Sequence, residues 1–200
     1  NSIGTFFEYT YDNLDNFSVV AGIRGDVHNN LGAFLTPRLH VRYNPWEKAV
    51  LRASIGRGKR SANIFAENQQ YFASSRNFQI YGNGGKIYGL NPEVAWNYGV
   101  SFLQGFKLFG RPGDVSVDFY STLFDNQVVV DVDNNTHQVA FYDLAGTSFA
   151  NSIQFDINYE PFKHLELRLS YKNYNTQTDY IKGRLTKPLL PEHRFFANVG

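Results

Sequence analysis

The sequence predicts an all-β protein, an antiparallel up-and-down meander that forms part of the wall of a large transmembrane β-barrel. Three observations support this prediction. Apolar and polar residues alternate with a period of two along most of the chain. The connections between the alternating segments are short and long in turn, and aromatic residues flank the short ones. These features are typical of outer-membrane barrels, in which tight turns and long loops lie at opposite ends of the strands.

The alternating segments follow one another along the whole chain and indicate roughly eight to ten strands. Alternation in a strand places apolar side chains on one face and polar side chains on the other. Within residues 94–102, for example, Trp96, Tyr98 and Phe102 share a face that we expect to contact lipid. The predicted strands are residues 3–11, 17–28, 38–43, 51–56, 94–102, 115–123, 153–160, 165–172 and 193–199.

The predicted connections fall into two groups. The short ones are residues 12–16, 44–48, 109–113 and 161–164. The longer ones are residues 28–35, 57–90, about 125–146, and 175–192. In the third long connection we expect a protruding hairpin, with residues 127–131 and 139–144 as its arms and residues 133–136 as its turn.

A soluble sandwich or lipocalin-like barrel is the ordinary alternative for a chain rich in strands. The predicted polar face argues against it, because charged side chains are mixed there with Gly and Ser, which suits a water-filled or plugged lumen. Several strands also have about the 9–11 residues needed to cross a bilayer obliquely. The charged residues of this face are Arg24, Asp26, Arg38, Arg42, Arg52, Asp118, Asp156 and Arg168.

Composition excludes several classes of function. The 19 Lys and Arg residues balance 18 Asp and Glu residues, and no basic run occurs, so we expect no nucleic-acid partner. Cys is absent and the five His residues lack metal-ligand spacing, so neither a metal site nor a cofactor is expected. Ser, His and Asp form no recognisable nucleophile motif, which argues against an enzyme.

The segment 57–90 is the candidate functional site, because it is far longer than a connector requires. Its cations and aromatic rings would hold an anionic, aromatic-rich chelate through charge and stacking. The alternative is that Arg60, Glu67, Asn68 and Arg76 merely fix the loop to the wall. The candidate ligand-binding residues are Arg60, Phe65, Tyr71, Arg76 and Tyr81.

Several segments resemble the carboxy-terminal part of the barrel of TonB-dependent outer-membrane receptors. Residues 56–76 (GRGKRSANIFAENQQYFASSR) and residues 90–102 (LNPEVAWNYGVSF) carry the most specific likeness. Residues 34–56, 146–174 and 188–200 resemble further hairpins and a near-terminal strand of the same family, in the same order. Lys59 and Ala62 depart from the family pattern, which often has an aromatic residue and a proline there.

The resemblance implies an energised uptake receptor. The complete barrel would have about 22 strands around an amino-terminal plug. Residues 1–200 would be a fragment of that single barrel domain, without the plug and the TonB-contacting box. Its partners would be outer-membrane lipid, the plug and remaining strands of the parent chain, the TonB complex through the plug, and an extracellular small-molecule ligand such as an iron–siderophore or cobalamin. It would lie in the outer membrane of a Gram-negative cell.

Two alternatives remain open from the sequence. A passive porin or structural outer-membrane barrel would share the strand pattern but would need no plug. A soluble β-barrel that binds an apolar ligand would share the alternation but would bury its apolar face in a core. Under the receptor hypothesis, Arg38, Arg42 and Arg52 would face the lumen and pair with plug carboxylates.

Overall fold

The computed structural model describes residues 1–188 and 190–200, and these residues are mostly β-strand. Within them lie thirteen strands and one 3₁₀ helix, Ala66–Ala73. Leu189, which belongs to the near-terminal segment singled out from the sequence, lies outside the described residues. The strands are β1 (Ser2–Asp12), β2 (Phe17–His28), β3 (Gly32–Tyr43), β4 (Ala49–Arg60), β5 (Asn77–Tyr81), β6 (Glu93–Leu108), β7 (Arg111–Asn126), β8 (Val128–Asp131), β9 (Gln138–Asp143), β10 (Ser148–Phe162), β11 (Leu165–Tyr180), β12 (Gly183–Thr186) and β13 (His193–Val199).

Ten of the described strands form one antiparallel sheet, which we call the wall. Its order is β1-β2-β3-β4-β6-β7-β10-β11-β12, and β13 also pairs with β11. Because β12 pairs with residues 177–180 of β11 and β13 with residues 167–173, β12 and β13 share one position at the edge of the wall. The sheet does not close within the described residues, and the predicted meander forming part of a barrel wall is confirmed.

Tight turns join β1 to β2, β3 to β4, β6 to β7 and β10 to β11 at one end of the wall, as predicted. The β6–β7 turn has two residues, Phe109 and Gly110, whose φ angles of 51° and 78° are those of a type I′ hairpin turn. The predicted turns at residues 109–113 and 161–164 were too long. Residues 111–113 belong to β7, and Pro161 lies in β10 at a break in register that accommodates its missing N–H.

Two of the predicted long connections are wrong. Residues 28–35 are not a long loop, because β2 ends at His28 and β3 begins at Gly32. The adjacent apolar residues Phe34 and Leu35 hide the alternation there. Residues 175–192 are not a simple loop either, since β11 continues to Tyr180 and pairs with β12. This extension is polar on both faces, and so it carries no alternating pattern.

A second sheet lies in the long connections. The predicted hairpin is confirmed as β8 and β9, which pair antiparallel from Val128↔Asp143 to Asp131↔Ala140. β5 pairs in parallel with β9, and the sequence analysis had treated β5 as part of a loop. The resulting order is β5-β9-β8.

The pairing register shows that the wall has two chemically different faces. One transverse row on the polar face holds Ser18, Arg42, Arg52, Ser101, Asp118, Gln154 and Lys172. The adjacent row on the opposite, apolar face holds Phe17, Tyr43, Leu51, Phe102, Val117, Phe155 and Tyr171. The assignment of side chains to faces from the sequence is therefore confirmed.

Apolar side chains cross the apolar face as a diagonal band. Tyr171 of β11 lies in the row of Phe17, and polar Asn173 and Asn175 follow it. In β2 the apolar residues continue to Val27, ten positions above Phe17 (27 − 17 = 10), in the row of Ile3 of β1. Measured along the strands, the upper edge of the band therefore descends by ~33 Å between β1 and β11. Measured across the strands, the seven steps from β1 to β11 span ~34 Å. If the band lies flat in a bilayer, the strands are tilted by about 45°, as in membrane barrels.

The wall has little core of its own. The described chain exposes 12690 Å², whereas a compact monomer of 22.8 kDa would expose roughly 9,600 Å². Most fully buried apolar side chains lie in the long connections instead, while rings such as Phe7, Phe119 and Phe155 on the apolar face are exposed. Among the described residues, no helix is long and apolar enough to cross a membrane.

Candidate ligand-binding site

Two long connections fold together at the end of the wall opposite the tight turns. Residues 61–92 join β4 to β6, and residues 127–147 join β7 to β10. They contain the 3₁₀ helix and the three-stranded sheet, and we call them the loop subdomain. The candidate ligand-binding residues all lie in or beside it.

A small apolar core holds the loop subdomain together. Ile64 and Leu90 come from the first connection, and Val128, Val139 and Phe141 come from the second. Phe141 is 0% exposed, and burying a side chain of this size contributes about 2–3 kcal/mol. The core therefore requires both connections, which explains why such long segments are ordered.

Aromatic rings extend from this core to the surface. Phe78 stacks on buried Phe141 at 5.7 Å and on Phe72 at 4.8 Å. Phe65 contacts Phe72 at 6.2 Å and meets Tyr88 edge to face at 5.3 Å. Phe72 and Tyr88, 56% and 44% exposed, form the outer end of this series. Stacked and edge-to-face rings add about 0.5–1.5 kcal/mol per pair beyond burial.

Arg60 connects the wall to the loop subdomain. Its guanidinium donates to Glu93 Oε2 at 2.7 Å and to both carboxylate oxygens of Glu67, at 3.1 and 3.0 Å. The carboxylate of Glu93 is buried, and its Oε1 accepts the Val128 backbone N–H at 3.1 Å. Arg60 thus makes the contacts expected if it fixes the loop to the wall.

Arg76 and Asn68 also make contacts within the loop subdomain. Arg76 donates to the Val132 carbonyl at 3.0 Å, across the two connections. Asn68 donates to the Ile64 carbonyl at 2.8 Å. These contacts agree with the alternative in which polar residues order the loop.

The remaining predicted residues have different surroundings. Phe65 and Tyr71 pack against the apolar core. Tyr81 is 49% exposed at the end of β5. The backbone of the next residue, Gly82, approaches Gly89 so closely that a Cβ atom on Gly82 would lie 2.9 Å from the Gly89 Cα. This close approach brings the exposed residues Tyr81 and Tyr88 to neighbouring positions of the backbone.

Asp143 fixes the start of β6. Its Oδ1 accepts the Asn91 backbone N–H at 2.9 Å, and its Oδ2 accepts the Asn91 side-chain amide at 2.8 Å. The segment that precedes β6 is therefore held by β9. The sequence analysis identified this segment by its motif but not the aspartate that binds it.

The turn between β8 and β9 is closed by a buried aspartate. Asp131 accepts the backbone N–H groups of Asp133 and Asn134 and the hydroxyl of Tyr142. Burial and the neighbouring Asp131 carboxylate raise the pKa of Tyr142 well above its usual value. These internal contacts are those of the hairpin turn that was predicted at residues 133–136. Within residues 1–188 and 190–200, no group of three metal-ligating side chains comes together.

The β11–β12 hairpin is tied to the β9–β10 connection. Asp179 accepts from Arg184 Nε at 2.7 Å and from the Thr147 backbone N–H at 2.7 Å. The hydrogen bonds from Arg184 and Thr147 hold the pKa of the Asp179 carboxyl below its usual range. One carboxylate therefore joins two loops at this end of the wall.

The polar face of the wall borders a concavity of about 520 Å³. Arg42 and Arg52 lie there directly opposite each other in register. Like charges in such a pair repel. Neither has a carboxylate within 4.0 Å among the described residues, whereas Arg38 is paired with Glu8. Asp118 lines the same concavity, so two guanidinium groups there face one carboxylate and leave a net positive charge.

Sequence reasoning missed several residues that build the site. Phe78 and Ile80 alternate with polar neighbours in residues 77–81, a signal that was present but short. Phe72 and Tyr88 were part of the aromatic content of the segment. Phe141 carried no local signal, because its role depends on contact with the other connection.

The sequence profile of the family described as "TonB dependent receptor-like, beta-barrel" matches residues 1–200. The chain therefore belongs to this family of outer-membrane β-barrels. Membership of this family favours the receptor hypothesis over the two alternatives that the sequence left open, a soluble barrel and a passive porin. No curated protein sequence matches the chain.

Solved structures of siderophore receptors have a similar fold. The ferric enterobactin receptor PfeA of Pseudomonas aeruginosa aligns over 99% of this chain, with a TM-score of 0.68 and 13% identity. The siderophore receptor PirA of Pseudomonas aeruginosa aligns over 89% of this chain, with a TM-score of 0.61 and 15% identity. The alcaligin receptor FauA of Bordetella pertussis aligns over 97% of this chain, with a TM-score of 0.59 and 15% identity. The chain spans 30%, 35% and 33% of these three structures.

Proposed function

We propose that this chain is part of the translocation barrel of a TonB-dependent receptor that binds a scarce nutrient outside the cell and imports it. The nutrient is an iron–siderophore or a related chelate such as cobalamin. The observation that carries the proposal is the ordered loop subdomain, fixed through Arg60 and Glu93 to one end of a wall with a polar concave face. A passive barrel has no need of such a folded recognition unit.

The wall is proposed to lie in the outer membrane of a Gram-negative cell. The diagonal apolar band supports this placement, because its slope corresponds to the strand tilt of membrane barrels. The loop subdomain then lies on the extracellular side and the tight turns on the periplasmic side.

The parent chain is proposed to supply the plug and the remaining strands, so that residues 1–200 form one part of a single barrel domain. The unpaired charges of Arg42 and Arg52 support a plug whose carboxylates face them. Such pairs would offset the repulsion between the two guanidinium groups. Contact with the TonB complex would then occur through the plug region.

The ligand is proposed to bind at the exposed aromatic end of the loop subdomain. Tyr81, Tyr88 and Phe72 offer ring faces to a flat, aromatic chelate. Phe65 contacts the rings of Phe72 and Tyr88, and Tyr71 packs against the apolar core. Arg60 and Arg76 fix the segment that carries these rings. The similar structures named for ferric enterobactin and alcaligin favour a siderophore as the ligand.

The full-length receptor tests this proposal in cells that lack other siderophore receptors. Uptake is measured with radioactive iron carried by enterobactin or alcaligin, and with radioactive cobalamin. The double variant Tyr81→Ala, Tyr88→Ala is expected to weaken binding of the transported chelate about 5-fold to 150-fold, since each lost stacking contact contributes about 0.5–1.5 kcal/mol. Tyr11→Ala, Tyr43→Ala at the opposite end is the matched control.

Dissipating the proton gradient should stop uptake and leave surface binding intact. Uptake that continues without the gradient would identify a passive pore. Equal binding by the Tyr81, Tyr88 variant and its control would remove these residues from the site.

A further inference from the structure

The hydrogen-bond ladder of the wall is interrupted between β3 and β4. Their register runs from Tyr43↔Leu51 to Arg38↔Gly56, although β3 begins at Gly32 and β4 continues to Arg60. Beyond that point β3 stays paired with β2, and β4 stays paired with β6. The ladder ends next to Pro37, which has no N–H to donate. We call the gap between residues 32–37 and 57–60 the seam.

Cationic side chains cross the seam where backbone pairing is missing. Lys59 Nζ donates to the Leu31 carbonyl at 2.8 Å, and Arg57 Nη1 reaches the Leu35 carbonyl at 3.4 Å. From the loop subdomain, Lys86 Nζ donates to the Asn29 carbonyl at 2.8 Å. Carbonyl groups of β3 and the β2–β3 turn thus accept from side chains instead of from a neighbouring strand.

These contacts satisfy hydrogen bonds but do not neutralise the charge. Throughout the described part of the chain, neither Lys59 nor Lys86 has a carboxylate within 4.0 Å. Arg57 has one acidic neighbour, Asp125, at the long distance of 3.8 Å. The upper end of the seam is therefore positively charged.

The lower part of the seam adjoins a cavity of about 460 Å³. Residues from both faces of the wall line it. Arg24, Thr36 and Arg38 belong to rows of the polar face, and Phe7, Ile23 and Pro37 belong to rows of the apolar face. The lining also includes Gly56 and Arg57, so the cavity lies where the β3–β4 ladder ends.

The register places the positive end of the seam at the outer edge of the apolar band. In β3 the apolar face continues through Leu35, and in β4 it ends at Ile55, with Arg57 and Lys59 above it. A bound molecule would therefore meet apolar side chains below and cations at the level of the lipid head groups. An anionic lipid has this order of chemistry.

We infer that the seam binds a membrane lipid with a phosphorylated head group, whose phosphate lies at Lys59 and Lys86 and whose acyl chain enters beside Ile23 and Pro37. The inference rests on the proposed placement of the wall in the membrane. The bound lipid fills the opening in the ladder and neutralises the cations that bridge it.

Native mass spectrometry of the full-length receptor, released from detergent micelles, tests the inference. Dioleoyl phosphatidic acid and dioleoyl phosphatidylcholine share their acyl chains and differ in net head-group charge. The receptor is expected to retain the phosphatidic acid several-fold more often. Replacing both lysines (Lys59→Gln, Lys86→Gln) should lower this retention about 25-fold, since each lysine near an anionic head group contributes a factor of about five. The matched control is Lys48→Gln, Lys163→Gln in the tight turns.

Inorganic phosphate at millimolar concentration should not displace the lipid; displacement would identify a site for free anions and overturn the inference. Equal retention of the two lipids by the unmodified receptor would also overturn it, and that comparison needs no variant. An equal loss in the control variant would indicate non-specific charge. Binding of the radioactive chelates is measured on the same samples, so failure here is distinguishable from failure of the proposed receptor function.

Discussion

At the level of single residues, the carboxylate of Glu93 joins three parts of the chain. It accepts from Arg60 at the end of β4 and from the Val128 backbone N–H at the start of β8, and it lies itself at the start of β6. The side chain is 7% exposed, so a change here leaves a guanidinium and an N–H without their buried partner. Ordering of the loop subdomain depends on this carboxylate more than on the more exposed Glu67.

Glu93→Ala is expected to destabilise the loop subdomain by about 1–3 kcal/mol, the usual cost of leaving buried hydrogen-bonding groups unsatisfied. Hydrogen exchange followed by mass spectrometry should then show faster exchange in residues 61–92 and 127–147. Glu47→Ala, in an exposed tight turn, is the control and should leave exchange unchanged. Unchanged protection in Glu93→Ala would contradict the role assigned to this carboxylate.

Through Asp179, the stability of the β11–β12 hairpin depends on pH. Hydrogen bonds from Arg184 and the Thr147 N–H lower the pKa of its carboxyl in the folded protein. The stabilisation is therefore present above the unfolded pKa, about 4, and is lost as the pH falls through the lower folded pKa. The protection factors of the β12 amides, which correct for the slower intrinsic exchange at low pH, should therefore fall on acidification through this range.

Asp179→Asn removes the titrating group, so the pH dependence of the β12 protection factors should disappear with it. Asp15→Asn, in the tight turn between β1 and β2, serves as the control. A pH dependence that persists in Asp179→Asn would assign the effect to another group.

Residue roles were predictable where a motif was local. The sequence predicted that Arg60 and Arg76 lie in a candidate functional segment, and it offered the loop-fixing contacts as an alternative. Their partners were less accessible: Arg76 binds the carbonyl of Val132, 56 positions away. Contacts between two loops depend on the fold of both, which a local pattern does not encode. The ligand-binding role of the five candidate residues stays a prediction.

At the level of elements, the strands of the wall were the most predictable. When one face of a strand is apolar and the other is polar, apolar and polar residues must alternate along its sequence. β2, β6, β7 and β10 therefore show a clear period of two. The upper part of β11 extends above the apolar band, where both faces are polar, and its pattern disappears. Parallel pairing of β5 with β9 escaped prediction because β5 has five residues and its partner is far along the chain.

The β9 strand provides the central ring of the loop subdomain. Phe141→Ala removes a fully buried ring that contacts Phe78, and such changes cost about 3–5 kcal/mol. We expect the loop subdomain to become sensitive to limited proteolysis while the wall stays protected. The shift of the folded receptor on a gel without heating reports the wall separately.

Phe119→Ala is the matched control for Phe141→Ala, because Phe119 lies on the apolar face of β7 and is exposed in the described chain. It should leave the loop subdomain resistant to protease. Equal resistance of both variants would show that Phe141 is not essential to the loop fold.

At the level of the whole molecule, stability has two separate sources. The loop subdomain has a dry apolar core like that of a small soluble domain. The wall has paired backbone groups but exposes its apolar side chains. Under the proposed placement in a membrane barrel, its stability would depend on lipid outside and on neighbouring strands at its edges. Changes in the loop subdomain and in the wall should therefore have independent effects.

The diagonal band predicts that residues in one row of the register lie at different depths in the membrane. Ala21 in β2 and Asn175 in β11 share a row and a face through Leu39, Ile55, Tyr98, Ser121 and Asn151. With strands tilted by about 45°, Ala21 lies inside the band and Asn175 lies above it.

Ala21→Lys should cost about 2–4 kcal/mol and reduce the amount of full-length receptor assembled in the outer membrane, since lysine at the bilayer midplane carries that penalty. Asn175→Lys should assemble normally, because near the interface the penalty falls to about 0–1 kcal/mol. Assembly is measured as the fraction of receptor that migrates as the folded form on an unheated gel. If both variants assembled equally well, or if Asn175→Lys were the more damaging, the strands would not have the tilt that the band implies, and the membrane placement on which the lipid site rests would fall with it.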